Sequence, residues 1–158
     1  MVRRQISLFI ILFLTSCGFG AGTLGGFDTY FFPTSKKSIT ESIDSLYSQH
    51  PEYKIPEKWI YLDDWKARGY DFLETNIYYF NSAPEEMYYV SFYGDANDSI
   101  QVDESKTGIS IRAVNNGYGW IKEEETSSNE KARIEKRFYE EIVSKIELYS
   151  GTISKREK

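Results

Sequence analysis

Several groups of side chains in this chain have the types and spacing to do chemistry. Asp63 and Asp64 are adjacent, with Asp71 and Glu74 close behind. Clustered carboxylates can split their pKa values for acid–base catalysis, or offer hard oxygen ligands to a cation. A turn between strands also favours aspartate, for hydrogen bonding to its own backbone, and the turn is the expectation here. Asp95, Asn97, Asp98 and Asp103 resemble a calcium loop, but the regular alternation closed by a glutamate at position twelve is missing. A solvated hairpin connection is expected instead. His50, the sole histidine, follows a helical pattern and precedes Pro51. A histidine there meets the negative end of the helix, so capping is expected ahead of catalysis. Glu123, Glu124 and Glu125 precede the last helical pattern, where negative charge suits the positive end of the macrodipole. Glycines 18, 20, 22, 25 and 26 lack the preceding strand that a phosphate-cradling loop requires.

The only cysteine is Cys17. Arg3 and Arg4, an apolar run over residues 6–14 and the small residues before Cys17 follow the order of a secretory signal. That run is far short of the roughly 20 residues a spanning helix needs. Leu14-Thr15-Ser16-Cys17 resembles the lipobox of bacterial lipoproteins. The resemblance implies cleavage before Cys17, a diacylglyceryl group on its sulfur and, usually, an acyl chain such as palmitate on the new amino terminus. Each buried methylene contributes about 0.8 kcal/mol, so two or three chains make a stable membrane anchor where one is marginal. By the same resemblance, Gly18 is not the aspartate of inner-membrane retention, and no acidic cluster follows the cysteine. The expected address is the outer membrane, facing the periplasm. Residues 17–26 read as a glycine-rich tether.

Cleavage leaves 142 of the 158 residues, with 17 basic against 24 acidic side chains, a net charge of −7. That length suits one domain, expected over residues 27–151 with a charged, frayed tail over 152–158. An acidic body argues against nucleic acid and anionic headgroups as main partners. With Cys17 lipidated no thiol remains, which removes disulfides, thiol catalysis and cysteine metal sites. A single histidine disfavours a histidine-rich zinc site and a serine triad. No metal and no cofactor are expected.

The elements follow from hydrophobic period. Ser38-Ile39-Thr40-Glu41 has capping-box spacing, and Ile39, Ile43, Leu46 and Tyr47 form one stripe of a helix over about 36–49. Residues 27–33 are a short aromatic segment, docked extended or as an edge strand. A short strand is expected near 58–62. Residues 75–81 and 86–93 read as strand, turn, strand, with Tyr88, Val90 and Phe92 on one face and Met87, Tyr89, Ser91 and Tyr93 on the other. Residues 99–103 and 108–115 suggest a second hairpin in which Ile109, Ile111 and Ala113 share the core face. A further short strand fits 119–122. Ser127-Ser128-Asn129-Glu130 repeats the capping-box spacing ahead of Ile134, Phe138, Ile142, Ile146 and Tyr149, the stripe of the longest helix. The order α-β-β-β-β-α implies an α+β two-layer sandwich: an antiparallel sheet of about four or five strands, with two helices on one face.

Thirteen tyrosines help bring aromatics to 16% of the chain. On the helix-free face, Tyr79, Tyr89 and Tyr93 with Tyr61 or Trp65 could form an exposed aromatic platform that buries a partner's side chains or stacks a sugar. They could equally pack beneath a loop. The reading that results is non-enzymatic: a lipid-anchored envelope protein that binds another envelope protein, for assembly or in an immunity-type role. The alternative is a small-ligand or glycan-binding module on the same face. A third possibility is an envelope hydrolase built on Asp63, Asp64 or His50.

Overall fold

A computed structural model of the chain describes residues 26–70, 73–93 and 105–158. The signal segment, Cys17, nearly all of the tether, Asp71, Phe72 and the expected strand at 99–103 lie outside the described residues.

Strand β1 (Thr29–Phe32) leads into α1 (Lys36–Gln49). Ile39, Ile43 and Leu46 are buried along one stripe of α1. Its N-cap is Ser35, whose hydroxyl accepts from the Ser38 N–H at 3.3 Å, so the helix starts three residues before the Ser38 capping box. Pro51 and Pro56 then force two 3-10 turns, Pro51–Tyr53 and Glu57–Leu62. The second replaces the expected strand near 58–62. With three residues per turn, Trp59 and Leu62 fall on one side, and both pack inward, whereas Tyr61 turns to solvent.

Strands β2 (Thr75–Phe80), β3 (Glu86–Phe92), β4 (Thr107–Asn115) and β5 (Trp120–Ile121) follow. After them come α2 (Ser128–Phe138), a π turn (Tyr139–Val143), α3 (Ser144–Ser150) and β6 (Lys155–Glu157). The antiparallel sheet runs β2-β3-β4-β1-β6, with β5 paired to β4. The helices cover one face, where Ile39, Leu46, Ile134, Phe138, Ile142 and Ile146 meet Tyr78, Tyr88, Val90 and Ile111. This is an α+β sandwich with the expected helical layer and more strands than expected.

Three local departures have identifiable causes. Ile134, Phe138, Ile142 and Ile146 recur every four residues, a spacing that drifts around a 3.6-residue helix. The wider π turn at Tyr139–Val143 takes up the drift, and all four are fully buried. In β4 the register shifts between Tyr89↔Ala113 and Val90↔Ile111, leaving Arg112 as the extra residue of a bulge. Ala113 therefore lies on the face opposite Ile109 and Ile111, which corrects the expectation that the three share one face.

The third departure is the tail. It does not fray: Lys155, Arg156 and Glu157 pair with β1, and β1 becomes interior instead of an edge. Gly151 in the left-handed region (φ 66°) ends α3 and lets the chain turn back. Gly108 of β4 is needed for close approach, since a Cβ there would stand 2.7 Å from the Phe31 ring and 2.9 Å from Tyr93.

Candidate functional site

The helix-free face is not open. The segment over residues 55–70 folds across its β2–β4 end and buries a second cluster of Ile77, Tyr79, Met87, Tyr89 and Ala113 beneath Trp65. The Trp65 ring stacks on Tyr89 at 4.1 Å and 15°, and meets the edges of Tyr70 and Trp120 at 5.4 and 5.1 Å. The Trp120 indole N–H donates to Leu62 O at 3.0 Å, tying β5 to the end of the second 3-10 turn.

The structure brings together three of the five expected platform residues, but under cover. Trp65 is 4% exposed and Tyr89 1%. Tyr79 is also buried, its ring against Trp59 at 5.7 Å and its hydroxyl donating to Glu85, which Lys58 holds at 2.5 Å. That ammonium, then the Tyr79 hydroxyl, lowers the Glu85 carboxyl from its ordinary value. Tyr61 and Tyr93 are exposed, at 74% and 58%, but stand apart from the cluster. Tyr93 lies against Phe31 above Gly108. An exposed five-residue platform is thus corrected to a buried aromatic layer. The stacking faces of Trp65 and Tyr89 are spent on each other.

The catalytic candidates do not converge. Asp64 accepts from Arg68 at 2.8 Å, and Glu74 is paired with Lys36 at 3.0 Å. His50 is the C-cap of α1: its N–H donates to Leu46 O at 2.7 Å and its Nδ1 lies 3.0 Å from Glu52. Two buried carboxylates that the sequence did not single out are structural. Glu86 is held by Arg133 at 3.0 Å and Arg137 at 2.8 Å and accepts from the Tyr88 hydroxyl. Glu135 accepts from the Asp28 N–H at 3.2 Å and is paired with Arg156. Among the described residues, no three His, Cys, Asp or Glu side chains group as metal ligands, and no helix is long and apolar enough to cross a membrane.

A feature with unspent chemistry is a cleft of about 710 Å³ between α1, the covering segment and the edge of β2, which no other described strand pairs. That volume falls within the range that holds small ligands and side chains. Ile55, Trp65, Ile77 and Tyr89 form its floor. The Trp65 indole N–H has no hydrogen-bond partner among the described residues, whereas the Tyr89 hydroxyl lies beside that of Thr75. Leaving a group such as the indole N–H buried and unpaired costs about 1–3 kcal/mol. Burial pushes the Tyr89 hydroxyl above its ordinary pKa. Asp44, Lys54, Asp63 and Lys66 stand around the mouth, and none forms an ion pair with a described residue. Most other charged side chains are paired, among them Lys36, Lys58, Arg133 and Arg156.

No family model, no curated protein and no solved structure matches this chain.

Proposed function

We propose that the chain is a lipid-anchored envelope protein that binds another envelope protein through the cleft beside β2. Cys17, behind its lipobox, carries the anchor and holds the body at the periplasmic side of the outer membrane. Assembly of an envelope structure and neutralisation of an incoming toxin both need such a module. The observation that carries the binding reading is a cleft of about 710 Å³ lined by Ile55, Trp65, Ile77 and Tyr89, with the uncommitted charges of Asp44, Lys54, Asp63 and Lys66 at its mouth. The charged rim also favours a second reading, a small polar ligand. A sugar-stacking site is disfavoured, because Trp65 and Tyr89 cover each other's ring faces.

Site-specific photo-crosslinking in cells tests this. A benzophenone amino acid replaces Ser48 at the cleft and, separately, Glu140 on the π turn, both exposed positions, in the protein as lipidated in cells. A discrete protein adduct in the membrane fraction from Ser48, absent from Glu140, is expected. No adduct from Ser48, or the same adducts from both positions, contradicts binding at the cleft.

A further inference from the structure

The two edges of the sheet are treated differently. At one end β6 is three residues long and wholly charged, Lys155-Arg156-Glu157, which is how natural sheets discourage further pairing. At the other end β2 is Thr75-Asn76-Ile77-Tyr78-Tyr79-Phe80: six residues, uncharged, without proline, and rich in strand-forming side chains. The bulge of this sheet lies between β3 and β4 and does not blunt the β2 edge. By composition β2 is a strand ready to pair.

Its backbone groups are aimed accordingly. The Phe92 N–H donates to Glu74 O, and the β2–β3 register pairs Asn76 with Val90, Tyr78 with Tyr88 and Phe80 with Glu86. Backbone groups alternate sides along an antiparallel strand. Asn76, Tyr78 and Phe80 therefore exchange hydrogen bonds with β3, whereas Thr75, Ile77 and Tyr79 direct theirs away from the sheet. One outward group is occupied: Ile77 O accepts from the Tyr47 hydroxyl of α1 at 2.9 Å. The N–H groups of Thr75, Ile77 and Tyr79 have no partner among the described residues. The cleft runs along this edge, with Asp44, Tyr47 and Ser48 of α1 on one side and Ile55, Trp65 and Lys66 on the other.

We infer that the occupant of the cleft is an extended peptide segment of the partner, which adds to the sheet beside β2. Main-chain hydrogen bonds to Thr75, to Tyr79 and to the Ile77 N–H supply affinity, with Ile77 O left to the Tyr47 hydroxyl, and the two walls read alternate side chains. Side chains facing the floor of Ile55, Trp65, Ile77 and Tyr89 are apolar. Both signs of charge in the segment find a counterpart, at Asp44 and Asp63 or at Lys54 and Lys66. This rests on the protein-binding reading and specifies its mode.

The probe is a phage-displayed library of random dodecapeptides, panned on the mature lipidated protein in detergent, with the enriched sequences then made as free peptides. Thr75→Pro removes one outward N–H while leaving Glu74 O and the β2–β3 ladder in place. Enriched peptides are expected to slow hydrogen exchange at the Ile77 and Tyr79 amides at least tenfold, and to bind Thr75→Pro at least tenfold more weakly. The exchange measurement uses the unaltered protein, so it stands even if the proline variant folds poorly. Strand addition is overturned if no peptide is enriched, or if bound peptides leave those amides unprotected. Adducts from Ser48 in cells without edge protection would remove strand addition and leave partner binding. Edge protection by peptides without adducts in cells would do the reverse.

Discussion

Arg156→Ala is expected to lower the unfolding free energy by about 3 kcal/mol, a large effect for a residue of the short, charged strand β6. Asp28 and Glu135 are both buried, and the Asp28 N–H donates to Glu135. Arg156 bonds to both carboxylates, with Nε 2.7 Å from Asp28 Oδ2. Breaking a buried ion pair from one side leaves an uncompensated charge and costs about 3–5 kcal/mol. Here the guanidinium is itself partly exposed, and Lys131 stands 3.6 Å from Asp28 and 3.7 Å from Glu135, so the low end of that range applies. Adding Glu135→Gln to Arg156→Ala removes one of the two buried charges left behind, with Asp28 still beside Lys131, and should recover part of the loss. Denaturant unfolding of the three proteins checks this. A change below about 0.5 kcal/mol, the ordinary scale for a surface substitution, would mean that β6 does not hold the tail in solution.

Trp65→Ala is expected to cost about 4 kcal/mol, within the span seen when a large aromatic is removed from a core. Trp65 is the centre of the second cluster, stacked on Tyr89 and flanked by Tyr70 and Trp120. Its loss leaves the covering segment without its main contact. Trp65→Phe separates packing from hydrogen bonding. The indole N–H has no partner within the described fold, so phenylalanine loses only volume and should cost about 1 kcal/mol, as conservative core swaps do. The same variant should weaken an occupant that uses that donor. If Trp65→Phe destabilises the protein as much as Trp65→Ala, the indole N–H is paired in the fold and the floor of the cleft is not as described.

The elements set by local pattern were legible in the sequence. The 3.6-residue stripe placed α1 at its observed bounds, and strand alternation sorted Tyr88, Val90 and Phe92 from Met87 and Tyr89 onto the correct faces. What escaped depends on contacts distant along the chain. Asp28 and Arg156 are separated by 128 positions, and neither carries a local sign that a charged tail will become β6. Alternating bulky residues at Trp59 and Tyr61 suggested a strand, but with prolines ahead of them the chain made a 3-10 turn whose period is three. That turn puts a lid over the face that patterning alone left bare. Arg112 reads as an ordinary polar residue in an alternating strand, and only pairing with β3 exposes the bulge.

The candidate site was half legible. Trp65, Tyr79 and Tyr89 do converge, but the cleft beside them is assembled from α1, the covering segment and β2, with no shared motif. One signal was available: the uncharged composition of residues 75–80, unusual for a strand at a sheet edge.

The most direct test of a membrane-held binding protein is the intact mass of the chain extracted from cells. The expected species is recovered from the membrane fraction, begins at Cys17 and carries a thioether-linked diacylglyceryl group with an acylated amino terminus. A soluble chain that retains residues 1–16 and a free Cys17 thiol would contradict it.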